Sequence, residues 1–354
     1  MDTLTHALSG ALLARATAPR RERPEALPLG RRTAVGFLAT AAPDLDFIVG
    51  TLGPVELLLY HRGVTHSFVM LPLWAWLLAH LARLLWRRDR PWQAYFPVTA
   101  MSIALHIAGD LITAYGTMIF APLSDTRYSL GTTFIIDPWF TAVIVAALAA
   151  SWLLPWRRAA AAAGSAALLA YVAFQWALLE RAQAWGEQMA RREGLATATV
   201  KALPRPVSPF NWMVIVADGD EVRYSFVNLA RKEARSPWPE GSFLAQLDAV
   251  HRPLAAAKWE RLARFGDQEP VRSFAREAWA RPELAFFRWF AEEPVLYRVE
   301  SGSATCAWFQ DLRFHVPGRG NWPFRYGMCR ETNGRWALFR LIGETTRVPI
   351  RPLR

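Results

Sequence analysis

Cysteine is almost missing from this chain of 354 residues, which has only Cys306 and Cys329. That excludes zinc-finger spacing and a small disulfide-framed domain, although the two thiols can form one bridge in an oxidising compartment. Lysine is nearly as scarce, confined to Lys201, Lys232 and Lys258, so arginine carries the positive charge. There is no G-x-S-x-G elbow and no glycine-rich phosphate loop, which leaves serine-hydrolase, P-loop and dinucleotide chemistry without support. The first residues lack a basic n-region, and their apolar stretch is short and interrupted by His6; no cleavable signal peptide is expected.

Apolar residues, in contrast, make up 53% of the chain, and the mean hydropathy is +0.09 despite a net charge of +11. The apolar excess lies almost wholly before residue 180. Much of the basic charge flanks apolar runs, a pattern of membrane topology rather than of nucleic-acid binding, so no direct nucleic-acid partner is expected.

Residues 3–14 read as a helix too short to span. Apolar segments follow at about 33–50, 68–86, 97–120, 138–155 and 159–179, against the roughly 20 residues a crossing requires. Pro43, Asp44 and Asp46 interrupt the first of them. The basic connectors are Arg15 to Arg32, Arg87-Arg88-Asp89-Arg90 and Arg157-Arg158, and alternate crossings put all three on the cytoplasmic side. Residues 51–67, 121–137 and everything after about 180 then face outward. Beyond Pro204, Pro206 and Pro209 the pattern becomes mixed. Asn211 to Leu229 reads as a hairpin around Asp218-Gly219, 240–292 as amphipathic helices, and 294–315 and 322–342 as strands carrying the two cysteines.

Acid and histidine clusters mark the first half: Asp2-Thr3-Leu4-Thr5-His6, Pro43-Asp44-Leu45-Asp46, His61-Arg62-Gly63-Val64-Thr65-His66-Ser67 and His106-Ile107-Ala108-Gly109-Asp110. Ionisable groups at membrane depth are costly and usually serve a site facing a bundle interior. His106 and Asp110, four apart, share one helical face and can hold one ion. His61 and His66 flank Gly63 in a turn. Asp44 and Asp46 cannot share a helical face, so a break at Pro43 would send one to a metal and the other to a second ion or to a histidine it orients. Mixed His and Asp donors without Cys suit Zn²⁺ ahead of Mn²⁺ or Fe, as one or two ions. A pair of ions would clamp a phosphoryl displacement, with Arg62 holding a phosphate. Asp2 and Asp137 read either as ligands or as helix caps, and His80, His251 and His315 as ordinary structural histidines.

At Asp2-x-x-Thr5-His6, Pro43-Asp44-x-Asp46, His61-Arg62-Gly63-x-Thr65-His66-Ser67 and His106-x-x-x-Asp110, the first 180 residues resemble the YdjM-like, LexA-binding, inner-membrane family of metal-dependent hydrolases. The segment from Tyr115-Gly116 to Pro122-Leu123-Ser124 is also similar. The resemblance implies a helical membrane protein of the bacterial inner membrane with a hydrolytic metal site, and a regulatory contact with the LexA repressor. A site on the outer face would make that contact awkward. The His-x-x-x-Asp helix is similar to one in zinc-dependent phospholipase C, which implies phosphoester substrates.

The expected fold is mainly α. A multi-helix membrane bundle with the metal site spans 1–180, a helix and Pro-rich linker 181–210, and a smaller α+β extramembrane, periplasmic domain 211–354. The expected function is a membrane-bound metal-dependent hydrolase of a lipid or envelope phosphoester. His6, Asp44, Asp46, His61, His66, His106 and Asp110 would hold metal, and Asp46, Arg62 and His66 would take part in catalysis. The rival is a non-catalytic membrane regulatory or binding protein with a structural His/Asp metal cluster.

Overall fold

The computed structural model describes residues 1–20, 25–235, 242–317 and 323–350. The chain divides into two compact units, Met1–Glu180 with Pro204–Pro209, and Arg181–Leu203 with Phe210–Arg354. The stretch expected as a linker is therefore shared between them. The arginine-rich connector 15–32 lies partly outside the described residues.

The first unit contains helices α1 (Thr3–Ala16), α2 (Leu29–Ala41), α3 (Pro54–Tyr60), α4 (Leu71–Leu85), α5 (Trp92–Leu111) and α6 (Pro138–Leu153), with the beginning of α7 (Arg157–Arg192). Asp2 caps α1 by accepting from the Thr5 amide at 3.0 Å. Asp137 caps α6 by accepting from the Trp139 and Phe140 amides, and its other oxygen accepts from the Tyr171 hydroxyl. Each satisfies amides that a helix start leaves unpaired. His80 Nδ1 donates to the Trp76 carbonyl one turn earlier, at 2.9 Å.

Small residues let α1 and α2 pack backbone to backbone. A methyl added at Gly36 would stand 2.6 Å from the Gly10 carbonyl oxygen, and one at Gly10 would stand 2.3 Å from that of Gly36. Leu12, Phe140, Ile144 and Ala161 form one core cluster; Ala14, Ala79, Tyr95 and Val98 form another.

Among the described residues, Leu29–Thr51 and Arg157–Arg192 are long and apolar enough to cross a membrane. Pro54–His66 and Leu71–Leu85, bent by 79°, add a third if they form one broken span. The five apolar segments expected from the sequence thus reduce to two or three. The fourth, Pro138–Leu153, is a short helix, and the third ends at Leu111 rather than near 120. Residues after Leu111 fold back instead, as the amides of Leu130, Thr132 and Thr133 donate to the carbonyls of Leu111 and Ile112.

The second unit holds two sheets. One runs β1 (Thr199–Pro204), β2 (Asn211–Asp218), β3 (Glu221–Asn228) and β4 (Arg252–Pro253), with β5 (Glu260–Ala263) also on β3. The Asp218-Gly219 hairpin is present, with Asp218 opposite Glu221 and Gly219 at φ 57°. The other is an antiparallel meander of β6 (Pro294–Glu300), β7 (Ala304–Asp311), β8 (Tyr326–Glu331), β9 (Trp336–Ile342) and β10 (Thr346–Pro349). Helices α8 (Phe243–Ala249), α9 (Val271–Ala280) and α10 (Ala285–Phe290) complete it. The helical reading of 240–292 is corrected at β4 and β5, because the open edge of β3 recruits 252–253 and 260–263 as strands; residues 240 and 241 lie outside the described residues. Cys306 and Cys329 are directly opposite on β7 and β8 and form a disulfide.

Candidate metal centre

The centre is assembled from four chain segments. The first is α1, whose Thr3 reaches Asp44 and whose His6 meets His106 and Asp110 of α5. The second begins where Pro43 turns α2 into the 3₁₀ stretch Ala42–Thr51. At about three residues per turn, positions two apart diverge by a third of a circle, so Asp44 and Asp46 are both buried while Leu45 between them is 75% exposed. The third is the break between α3 and α4, and the fourth is α5.

That break carries His61 to Ser67 as irregular backbone around one 3₁₀ turn at Val64–His66, and its polar groups are satisfied within the protein. The His66 amide donates to Gly63, that of Gly63 to Tyr60, and that of Phe68 to Ile119. Arg62 adopts φ 60°, a left-handed conformation unusual for a side-chain-bearing residue. There its amide donates to Asp46 Oδ2 at 3.1 Å, while its carbonyl accepts from the Met118 amide.

Four atoms converge: Asp44 Oδ1, His66 Nε2, His106 Nε2 and Asp110 Oδ2. His66 Nε2 is 3.6 Å from Asp44 and 3.2 Å from Asp110; His106 Nε2 is 3.6 Å and 3.4 Å from the same two. One donor atom from each residue lies within 4.8 Å of all the others. Ligands about 2.0–2.1 Å from a tetrahedral ion stand about 3.3 Å apart, so these separations match the edges of one coordination shell. His66 Nε2, His106 Nε2 and Asp110 Oδ2 are buried without a hydrogen-bond partner. Orphaned buried polar atoms are costly, and a shared divalent cation satisfies all three. The residues fit a metal.

Neighbouring groups set the direction of each donor. His106 Nδ1 lies 2.7 Å from the Thr40 carbonyl, and since a carbonyl only accepts, Nδ1 carries the proton and Nε2 the lone pair. His66 Nδ1 meets Thr65 Oγ1 at 2.9 Å, and that hydroxyl donates to Asp46 Oδ2 at 2.8 Å. Thr3 donates to Asp44 Oδ2 at 2.6 Å, turning Oδ1 toward the imidazoles. Such outer contacts fix ligand tautomer and orientation.

Asp46, His61 and His6, counted in the sequence reading among the ligands, lie outside this four-atom group. Asp46 receives His61 Nδ1 at 2.7 Å on Oδ1 and the Thr65 hydroxyl on Oδ2, so it orients histidines; the 3₁₀ turn points it away from Asp44. His6 stacks on His106 with centroids 3.8 Å apart and sets Nε2 3.1 Å from Asp110 Oδ1. Gly109 leaves room for that ring, since a methyl there would be 2.9 Å from His6 Cε1. The α-amino group of Met1 also contacts Asp110 Oδ1. Arg62, expected to bind a phosphate, has its side chain 2% exposed and engaged: Nη2 is 2.9 Å from Asp110 Oδ1, Nη1 donates to Thr113 at 3.0 Å, and the guanidinium covers the Tyr115 ring. It supports the centre from behind. His66, assigned a catalytic role from the sequence, sits among the four converging donors. Thr3, Thr40 and Thr113 were not singled out by sequence reasoning; Thr65 entered it only as a matching position of the motif at 61–67, with no role assigned.

Comparison with known proteins places this geometry in context. The uncharacterized protein YfhP of Bacillus subtilis (strain 168) is 27% identical over 108 residues, covering 30% of this chain and 33% of YfhP. The chain thus spans about a third of the length of that curated relative. No solved structure matches it. The profile of the YdjM inner membrane protein family matches residues 1–182, which contain all four converging donors and the groups that orient them. By that match across half of its length, the chain belongs to the YdjM inner membrane protein family.

Proposed function

We propose that the protein is a multi-pass, membrane-bound, metal-dependent hydrolase acting on a phosphoester of a lipid or envelope precursor. The single observation carrying this is the set of three buried, unpartnered donor atoms on His66, His106 and Asp110 that meet Asp44 around one point. When bound, a divalent ion, Zn²⁺ ahead of Mn²⁺ or Fe, would supply Lewis acidity toward a phosphoryl oxygen and acidify a water. The chain's own groups do the rest. Asp44, His66, His106 and Asp110 would hold the ion, and Asp46 and Thr65 fix the His66 ring. His61, anchored to Asp46 through Nδ1, has its other nitrogen to take or return a proton. Burial of Asp44, Asp46, His61, His66, His106 and Asp110 limits the access of bulk water to their interactions.

The location is inferred from the charge that flanks the spans. Basic connectors on the cytoplasmic side support placing the turn after Leu29–Thr51, and with it the donors that precede α4, in the outer half. The Cys306–Cys329 bridge supports a periplasmic second unit, since such bonds persist in oxidising compartments.

A second reading has its own support. Four protein donors close a tetrahedron, and His66, His106 and Asp110 are fully buried, as in structural rather than catalytic sites. The protein would then be a non-catalytic membrane regulator with a structural ion. Metal analysis of the purified full chain, with turnover of bis(p-nitrophenyl) phosphate, separates the two. The hydrolase reading expects stoichiometric transition metal and turnover lost in His66→Ala and Asp110→Ala, with the helical content retained. Bound metal without turnover of any phosphoester selects the structural ion. A protein carrying no transition metal, and taking none up, refutes both.

A further inference from the structure

We propose that this centre holds one ion only, because the Arg62 guanidinium stands where a second cation would sit. The inference rests on the metal reading above and settles the number of ions. Two-metal hydrolytic sites place their ions about 3.5–4 Å apart, and a carboxylate spanning that gap would need one oxygen for each. Asp110 is the carboxylate placed to do so, with Oδ2 facing the shared point. Its Oδ1 instead meets Arg62 Nη2 at 2.9 Å and His6 Nε2 at 3.1 Å, with the Met1 α-amino group beside them. Of the other two carboxylates, Asp44 has Oδ2 on the Thr3 hydroxyl, and Asp46 has Oδ1 on His61 and Oδ2 on Thr65 and the Arg62 amide. None of the three retains a free oxygen for a second ion.

Arg62 is held there from several directions. Its left-handed backbone places the amide on Asp46, its Nη1 donates to Thr113, and Tyr115 lies under the guanidinium, 4.7 Å from the ring centroid to Cζ. Thr113 in turn donates to the Asp110 carbonyl. A buried cation fixed this way cannot retreat when metal enters. Charge agrees with the geometry. The three carboxylates Asp44, Asp46 and Asp110, set against Arg62, leave two negative charges, which one divalent ion neutralises. A second ion would leave uncompensated positive charge among these buried groups.

Arg62 is therefore a positioning residue acting through Asp110. The test is titration of the purified full chain with Zn²⁺ and Co²⁺, counting ions by elemental analysis and following the visible bands of Co²⁺. The expected result is saturation at one ion per chain, with a single set of bands complete at one equivalent. Arg62→Met should weaken Zn²⁺ binding by about 10- to 100-fold, as loss of such supporting contacts does, and Arg62→Lys should restore most of it. Two ions per wild-type chain overturn the inference while leaving the metal reading standing. No ion at all overturns both. Arg62→Met with wild-type affinity also refutes it. If that variant does not fold, the wild-type stoichiometry still decides the question.

Discussion

Replacing Asp46 with asparagine tests whether it touches the ion or only aims the histidines. The carboxylate accepts from His61 Nδ1 at 2.7 Å on Oδ1, and from the Thr65 hydroxyl at 2.8 Å and the Arg62 amide at 3.1 Å on Oδ2. Asparagine keeps the shape but accepts through one atom. Its NH₂ must face either His61 or the Thr65–Arg62 pair, donor against donor. A hydrogen bond to a charged group contributes about 1.5–3 kcal/mol, and Oδ2 reaches His66 Nδ1 both directly, at 3.3 Å, and through the Thr65 hydroxyl. With a tenfold change per 1.4 kcal/mol, Asp46→Asn should weaken Zn²⁺ binding by about 10- to 100-fold, in line with other groups that orient metal-binding histidines. Competition against a chelating dye, on the detergent-solubilised full chain, measures this directly. His66→Ala, which deletes a donor atom, should lose well over 100-fold in the same assay, beyond what loss of an orienting group costs. The reasoning fails if Asp46→Asn binds Zn²⁺ as tightly as wild type. It fails equally if the two variants match, because the Asp46 carboxylate would then be a ligand.

Gly36→Ala should destabilise the first unit by about 1–3 kcal/mol through overpacking, because its methyl would stand 2.6 Å from both the Gly10 carbonyl and Ala14 Cβ; an unchanged thermal midpoint in detergent would contradict the close α1–α2 contact. In intact cells the two cysteines should resist a thiol-reactive polymer until reductant is added, and Cys306→Ser with Cys329→Ser should cost about 3 kcal/mol for releasing a closed loop of 23 residues; labelling without reductant would argue against an oxidising location. In the second unit, burial pushes the Asp248 carboxyl up, but the Asn211 amide together with Arg231 and Arg235 outweighs it and holds the group below the usual carboxylate range. Its stabilisation is present above the unfolded value near pH 3.9 and disappears as pH falls through the lower folded value. Asp248→Asn should therefore lower stability at pH 7 and flatten the acid limb below about pH 4, which denaturant melts across pH would register; parallel curves for the two proteins would rule the linkage out.

Much of this molecule could be read from order along the chain. His106-x-x-x-Asp110 lies one helical turn apart, so local geometry alone puts both on one face. Asp218-Gly219 forms its hairpin because glycine takes the left-handed turn position at no steric cost. The shift from an apolar first half to a mixed second half likewise marks where the helical region gives way to sheets, and β4 and β5 are the exceptions, recruited by a neighbouring edge that no local pattern announces. The four clusters were visible too, but not the division of labour among them. Whether Asp44 or Asp46 meets His66 depends on the 3₁₀ turn after Pro43. Whether Arg62 greets a substrate or braces Asp110 depends on a left-handed backbone at the break between α3 and α4. Sequence spacing specifies which side chains share a face within one helix. Which atoms meet across helices is decided by how closely α1 and α2 approach at Gly10 and Gly36 and by where the chain breaks between α3 and α4, and those are properties of packing in three dimensions.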